Sequence, residues 1–153
     1  MEKDEKNILI LCTGHPYVTD SGFGFHVSKV LEKMKLPENV DLMEVGGSAI
    51  MIPDIIEGKD KMIVIDVFRT KDKPGTIVRL KPEEVPVTVN GKTDIAKFQL
   101  MSTLQQIKLS GKCPDTIFIG VVPKDTQTMS SKLTPEIKRK IPKVIDLIIK
   151  EIT

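Results

Sequence analysis

Three apolar runs limit the architecture more than any other feature of the chain. They are Asn7–Thr13 (NILILCT), Lys61–Val67 (KMIVIDV) and Thr116–Val122 (TIFIGVV). Each lacks the polar alternation of a half-wetted strand, so each reads as a strand covered on both faces, the signature of a parallel sheet. Val40–Val45 is a further, shorter strand, and Thr76–Leu80 alternates, which suits a sheet edge. Helical spacing fills the intervals. Phe23, Val27, Val30, Leu31 and Met34 mark a helix from about Gly22 to Lys35, with Asp20 or Ser21 as the natural N-cap. Ala49–Glu57 reads as a short helix stopped by Gly58. Asp94 caps a helix from Ile95 to Leu109, and Lys81–Lys92 reads as a loop. Thr134-Pro135-Glu136 opens a last helix that carries Ile137, Ile141, Val144, Ile145, Ile148 and Ile149, with Pro142 as a kink point. The order βαβαββαβα predicts a single three-layer α/β/α domain over residues 1–153, with a mostly parallel sheet of about five strands.

Composition removes several classes of function. The 23 Lys+Arg against 21 Asp+Glu leave +2, and there is no Trp, one Tyr and five Phe. That balance does not suit a nucleic-acid surface or a base-stacking platform. No apolar run approaches the roughly 18 residues that span a bilayer, and no apolar signal segment follows Met1–Lys6, so a cytoplasmic protein with no membrane contact is expected. Two cysteines, Cys12 and Cys113, exclude a CxxC zinc site, and two histidines, His15 and His26, exclude a three-His metal site. Gly14, Gly22 and Gly24 do not form GxGxxG, and no GxxxxGK[ST] occurs.

In open parallel sheets ligands bind beyond the carboxyl ends of the strands. Three distinctive segments leave those ends: Gly14–Gly24, Gly46–Ser48 and the segment from Asp66. Asp66 is the most informative residue, because a carboxylate among Ile63, Val64, Ile65 and Val67 is costly to bury without a partner or a metal. A backbone cap is the simpler use for it. Asp20 is read first as a helix cap and His15 as a loop hydrogen-bonding residue, although either suits a metal. Cys12 reads as a small core residue, and nothing beside Cys113 would activate it.

Together these segments resemble one family, the hydrogenase maturation endopeptidases. The stretch CTGHPYVTDSGFGFHVSKVL, residues 12–31, is similar to that family's strand–GxGN–xLxxD[DE]GxG–helix opening. Gly46-Gly47-Ser48-Ala49 matches its GG[ST]A, and residues 61–80 match its strand–Asp–loop–PGT–strand block. IGVVPK, residues 119–124, and Leu133-Thr134-Pro135 match its GVxP and LTP segments. The resemblance covers nearly the whole chain. It implies an enzyme that removes the C-terminal extension of a nickel-loaded hydrogenase large-subunit precursor. The nickel is carried by that substrate, and the enzyme recognises it through ligands of its own.

By the same resemblance those ligands are a Glu after the first-loop Asp, an Asp ending the third strand and a His before the penultimate helix. Here Asp66 and Asp20 are present, Ser21 stands at the Glu position, and no His lies near Ala96. His15 replaces the Asn of GxGN. The chemically possible metal sets are His15/Asp20/Asp66 and Asp20/Asp66/Asp94, the second suiting Mg²⁺ or Mn²⁺ better than nickel. Asp20 and Asp66 are also candidates for a carboxylate pair sharing a proton. Gly46, Gly47, Ser48 and Ser21 are the expected substrate-binding positions. Two further readings stay open: a homologue without proteolysis that binds or chaperones the precursor, and another metal or small-molecule enzyme on the same fold.

Overall fold

The computed structural model describes residues 5–46 and 52–153. The apolar runs form β1 (Ile8–Thr13), β2 (Val40–Gly46), β3 (Lys61–Val67), β4 (Ile77–Leu80) and β7 (Asp115–Val121), assembled in the order β2-β1-β3-β7-β4. The first three junctions are parallel and β4 runs antiparallel along β7, so the alternating strand does lie at an edge. The two faces divide by residue parity, as strand geometry requires. Ile8, Ile10, Ile63, Ile65, Ile117 and Ile119 face helix α1 (Phe23–Glu32) and helix α5 (Ile141–Ile152). Leu9, Leu11, Met62, Val64 and Phe118 face α2 (Ile52–Ile55) and α3 (Ile95–Leu109). This is the expected three-layer α/β sandwich.

Three local expectations change. The final helix is two helices, α4 (Pro135–Lys138) and α5, because Pro142 has no N–H to give and its ring crowds the carbonyl four residues back. The chain restarts with that proline in the first turn of α5, where both defects are harmless. The segment expected as a loop over Lys81–Lys92 contains a 3₁₀ turn at Pro82–Glu84 and a small hairpin, β5 (Thr88–Val89) with β6 (Lys92–Thr93). Asn90 and Gly91 both have positive φ there (54° and 76°), as a tight hairpin turn demands. Finally, α1 is capped by neither Asp20 nor Ser21. Both lie in a 3₁₀ turn, Thr19–Gly22, and the N-cap is Gly22 without a side-chain bond.

One glycine sets the spacing of the central strands. Gly120 on β7 faces Asp66 on β3, and a Cβ there would stand 1.7 Å from the Asp66 carbonyl oxygen. No other residue allows β7 to approach β3 at this point.

Candidate active site

A pocket of about 150 Å³ opens at the carboxyl ends of β1, β2 and β3, on the face covered by α3. Thr13, Gly46, Asp66 and Val67 come from the strand ends, Gly14, His15 and Ser21 from the first loop, and Arg69 from the segment after β3. Asp94, Ala96, Lys97 and Leu100 come from the start of α3. The pocket therefore joins the three segments singled out above to a fourth, the α3 start. Gly47 and Ser48 lie outside the described residues.

Asp66 sits at its centre and is almost fully buried. Its partners are an ammonium, a hydroxyl and a backbone N–H. Oδ2 accepts from the Lys97 ammonium at 2.9 Å and from the Thr13 hydroxyl at 2.6 Å, and Oδ1 accepts from the Val67 N–H at 2.7 Å. Asp66 shares a face with Met62 and Val64, the face on which α3 packs, so a side chain one turn into α3 reaches it directly. Lys97 is itself 3% exposed, and its ammonium also lies over the Phe68 ring, 4.7 Å from the centroid. Pairing is what makes both burials tolerable, since an unpartnered charge would cost several kcal/mol. Gly14 adopts φ +120°, and a Cβ there would lie 2.1 Å from the Ser21 carbonyl oxygen and 3.1 Å from Asp66 Oδ1. Its missing side chain keeps the space beside Oδ1 clear.

Asp94 combines two tasks. Oδ1 caps α3 by accepting from the Lys97 N–H at 3.1 Å, as the sequence predicts, and Oδ2 is ion-paired with Arg69. The pocket thus holds two carboxylates and two fixed cations.

Asp20 does not join them. Its carboxylate is fully buried and accepts from the N–H groups of Lys124 (3.0 Å), Asp125 (2.9 Å) and Thr134 (2.8 Å), and from the Thr134 hydroxyl (3.0 Å). It ties the first loop to the loop between β7 and α4, more than 100 residues away in sequence. The sets His15/Asp20/Asp66 and Asp20/Asp66/Asp94 are therefore not assembled, and among the described residues no three His, Cys, Asp or Glu side chains converge to hold a metal ion. Nor are Asp20 and Asp66 a proton-sharing pair, since each carboxylate is engaged by other groups. His15 is exposed and lines the pocket, as does Ser21, whose carbonyl receives the His15 N–H at 3.0 Å. Ala96 also lines it, so both positions where the resemblance expects a ligand face the same space.

Cys12 is a core residue, as expected: burial pushes its thiol well above the ordinary range, and the nearby Glu44, Asp66 and Glu32 carboxylates reinforce the effect. Sequence reasoning passed over Lys97, Arg69 and Thr13. Lys97 carried a usable signal, because it lies three and seven residues before Leu100 and Leu104, on the buried stripe of α3.

Comparisons with known proteins agree with this architecture. Residues 25–151 match the profile of the family described as hydrogenase maturation protease. A Methanocaldococcus jannaschii protein grouped by name with those proteases is 31% identical over 152 residues, covering 97% of each chain. The coenzyme F420 hydrogenase subunit delta of Methanothermobacter thermautotrophicus is 29% identical over 156 residues, covering 97% of this chain and 96% of its own. The solved hydrogenase maturating endopeptidase HybD of Escherichia coli superposes with a TM-score of 0.86 at 25% identity, covering 95% of this chain and 91% of that one. With the profile matched across most of its length, the chain belongs to the hydrogenase maturation protease family.

Proposed function

We propose that this protein is an endopeptidase that removes the C-terminal extension of a hydrogenase large-subunit precursor in the cytoplasm. The observation that carries the reading is Asp66, an acid fixed at the end of β3 inside the pocket of a fold shared with a hydrogenase maturating endopeptidase. Nickel belongs to the precursor and enters as part of the substrate. The residues of this chain prepare the cleft for the segment to be cut. Thr13 and Lys97 hold Oδ2 of Asp66 and leave Oδ1 facing the gap that Gly14 keeps open. Rigid placement of one acid against a bound peptide supplies orientation, and orientation alone lowers a bimolecular barrier by several kcal/mol. Gly46 and Ser21 form the walls against which an extended tail would lie.

Family membership does not favour the alternative of a precursor-binding chaperone without proteolysis. The test is to incubate the protein with nickel-loaded large-subunit precursor and read the intact mass. Loss of the tail mass with wild type, and its retention with Asp66→Asn, is the expected result. A precursor that stays uncut, yet co-purifies with the wild-type protein, would replace this reading with the chaperone.

A further inference from the structure

The pocket contradicts the simple expectation that its acids wait for a cation. Asp66 is met by the Lys97 ammonium at 2.9 Å, and Asp94 by the Arg69 guanidinium. Each pocket carboxylate is thus balanced by a cation of the chain itself. A divalent ion reaching either oxygen of Asp66 would stand within a few ångström of a buried ammonium, in surroundings that screen charge poorly. The ammonium cannot swing away freely, because its stem is packed in α3's buried face and its head is held between Asp66 and the Phe68 ring. The residues present therefore do not fit a resident metal.

We propose that Lys97 is a specificity-determining residue: with Arg69 it closes the pocket carboxylates to free divalent cations, so that the unbound protein takes up no nickel of its own. This rests on the protease reading above and adds to it. Nickel in solution would otherwise occupy the acids and compete with the precursor. A cleft already neutralised by its own lysine engages only a substrate that brings a peptide surface along with its metal.

Equilibrium dialysis of the full chain against nickel chloride at pH 7.5 tests the proposal without any cleavage step, so a failure to cut a precursor leaves the outcome intact. Wild type is expected to bind nickel no better than Asp66→Asn. Lys97→Met should bind at least tenfold more tightly than wild type, and Lys97→Met with Arg69→Met more tightly again. Adding Asp66→Asn should abolish both gains. Lys97→Arg, which retains a cation, should behave as wild type does. A folded Lys97→Met that binds no tighter than wild type overturns the proposal, as does any wild-type affinity that Asp66→Asn removes. Lys97→Gln replaces Lys97→Met if the apolar variant does not fold. If neither folds, equal nickel uptake by wild type and Asp66→Asn supports the proposal, and a higher wild-type uptake refutes it.

Discussion

Replacing Asp20 should destabilise the protein rather than selectively disarm it. Its carboxylate is fully buried and accepts from three backbone N–H groups and one hydroxyl. Asp20→Ala leaves all four donors without an acceptor. Hydrogen bonds to charged groups contribute about 1.5–3 kcal/mol each, net of hydration. The donor residues Lys124, Asp125 and Thr134 are themselves exposed or half-buried, so their freed groups can be rehydrated; at about 1 kcal/mol per donor the loss is about 4 kcal/mol. Domains of this kind are stable by only about 5–15 kcal/mol, and about 2–4 °C is lost per kcal/mol at this size. The melting temperature should thus fall by about 8 °C or more. Asp20→Asn keeps the oxygen that serves Thr134 and turns an amide nitrogen toward Lys124 and Asp125, so its loss should be about half as large. Urea unfolding followed by far-ultraviolet circular dichroism measures both, with an unchanged m-value confirming an effect on stability alone. A change below about 1 kcal/mol in Asp20→Ala, together with lost cleavage, would refute the reasoning and return Asp20 to the site.

Other outcomes follow from the same geometry. Gly120→Ala should destabilise by about 3 kcal/mol or more, because its Cβ would meet the Asp66 carbonyl oxygen at 1.7 Å and force β7 from β3; a variant as stable as wild type in urea would show that the strands yield more easily than the packing implies. Glu151 is pushed up by burial, but its bonds to Arg79 and Lys61 outweigh that and hold its carboxyl below the ordinary 4.5. Its contribution is then full above that pH and lost as pH falls through the folded value. The gap in melting temperature between wild type and Glu151→Gln, corresponding to about 1 kcal/mol near neutrality, should close in acid, and a gap that widens instead would contradict the pairing. Ellman's reagent should titrate one thiol in the native protein, the partly exposed Cys113, and two in urea, since Cys12 is buried with its thiol pushed up; two native thiols would refute the burial.

The sheet was legible because buried parallel strands carry their signal locally, in runs such as KMIVIDV that need no partner to be recognised. Asp66 was legible for the same reason, as the one acid in such a run. Asp20 was misread because a cap is a local device, whereas its real donors lie at Lys124, Asp125 and Thr134, at separations no sequence pattern encodes. The hairpin around Asn90-Gly91 was missed because its strands are two residues each, too short to show alternation. Lys97 was not legible from composition or motif, because its partner Asp66 lies 31 residues away in sequence. A lysine on a helix surface is unremarkable, but on the stripe with Leu100 and Leu104 it is an ammonium driven into the core.

The sheet order has a consequence for synthesis. β3 pairs on one side with β1, made earlier, and on the other with β7, which begins 48 residues after β3 ends. β4 pairs with β7 alone, so it cannot shield β3 while the ribosome works toward Asp115. At about 5–20 residues per second the nascent chain carries one unpaired, apolar strand edge for several seconds. Such an edge is a template for pairing with other chains. The cleft residues, Thr13 to Leu100, are all made before that edge is covered, so the site's parts exist while the strand that carries Asp66 still lacks its partner, Gly120 of β7.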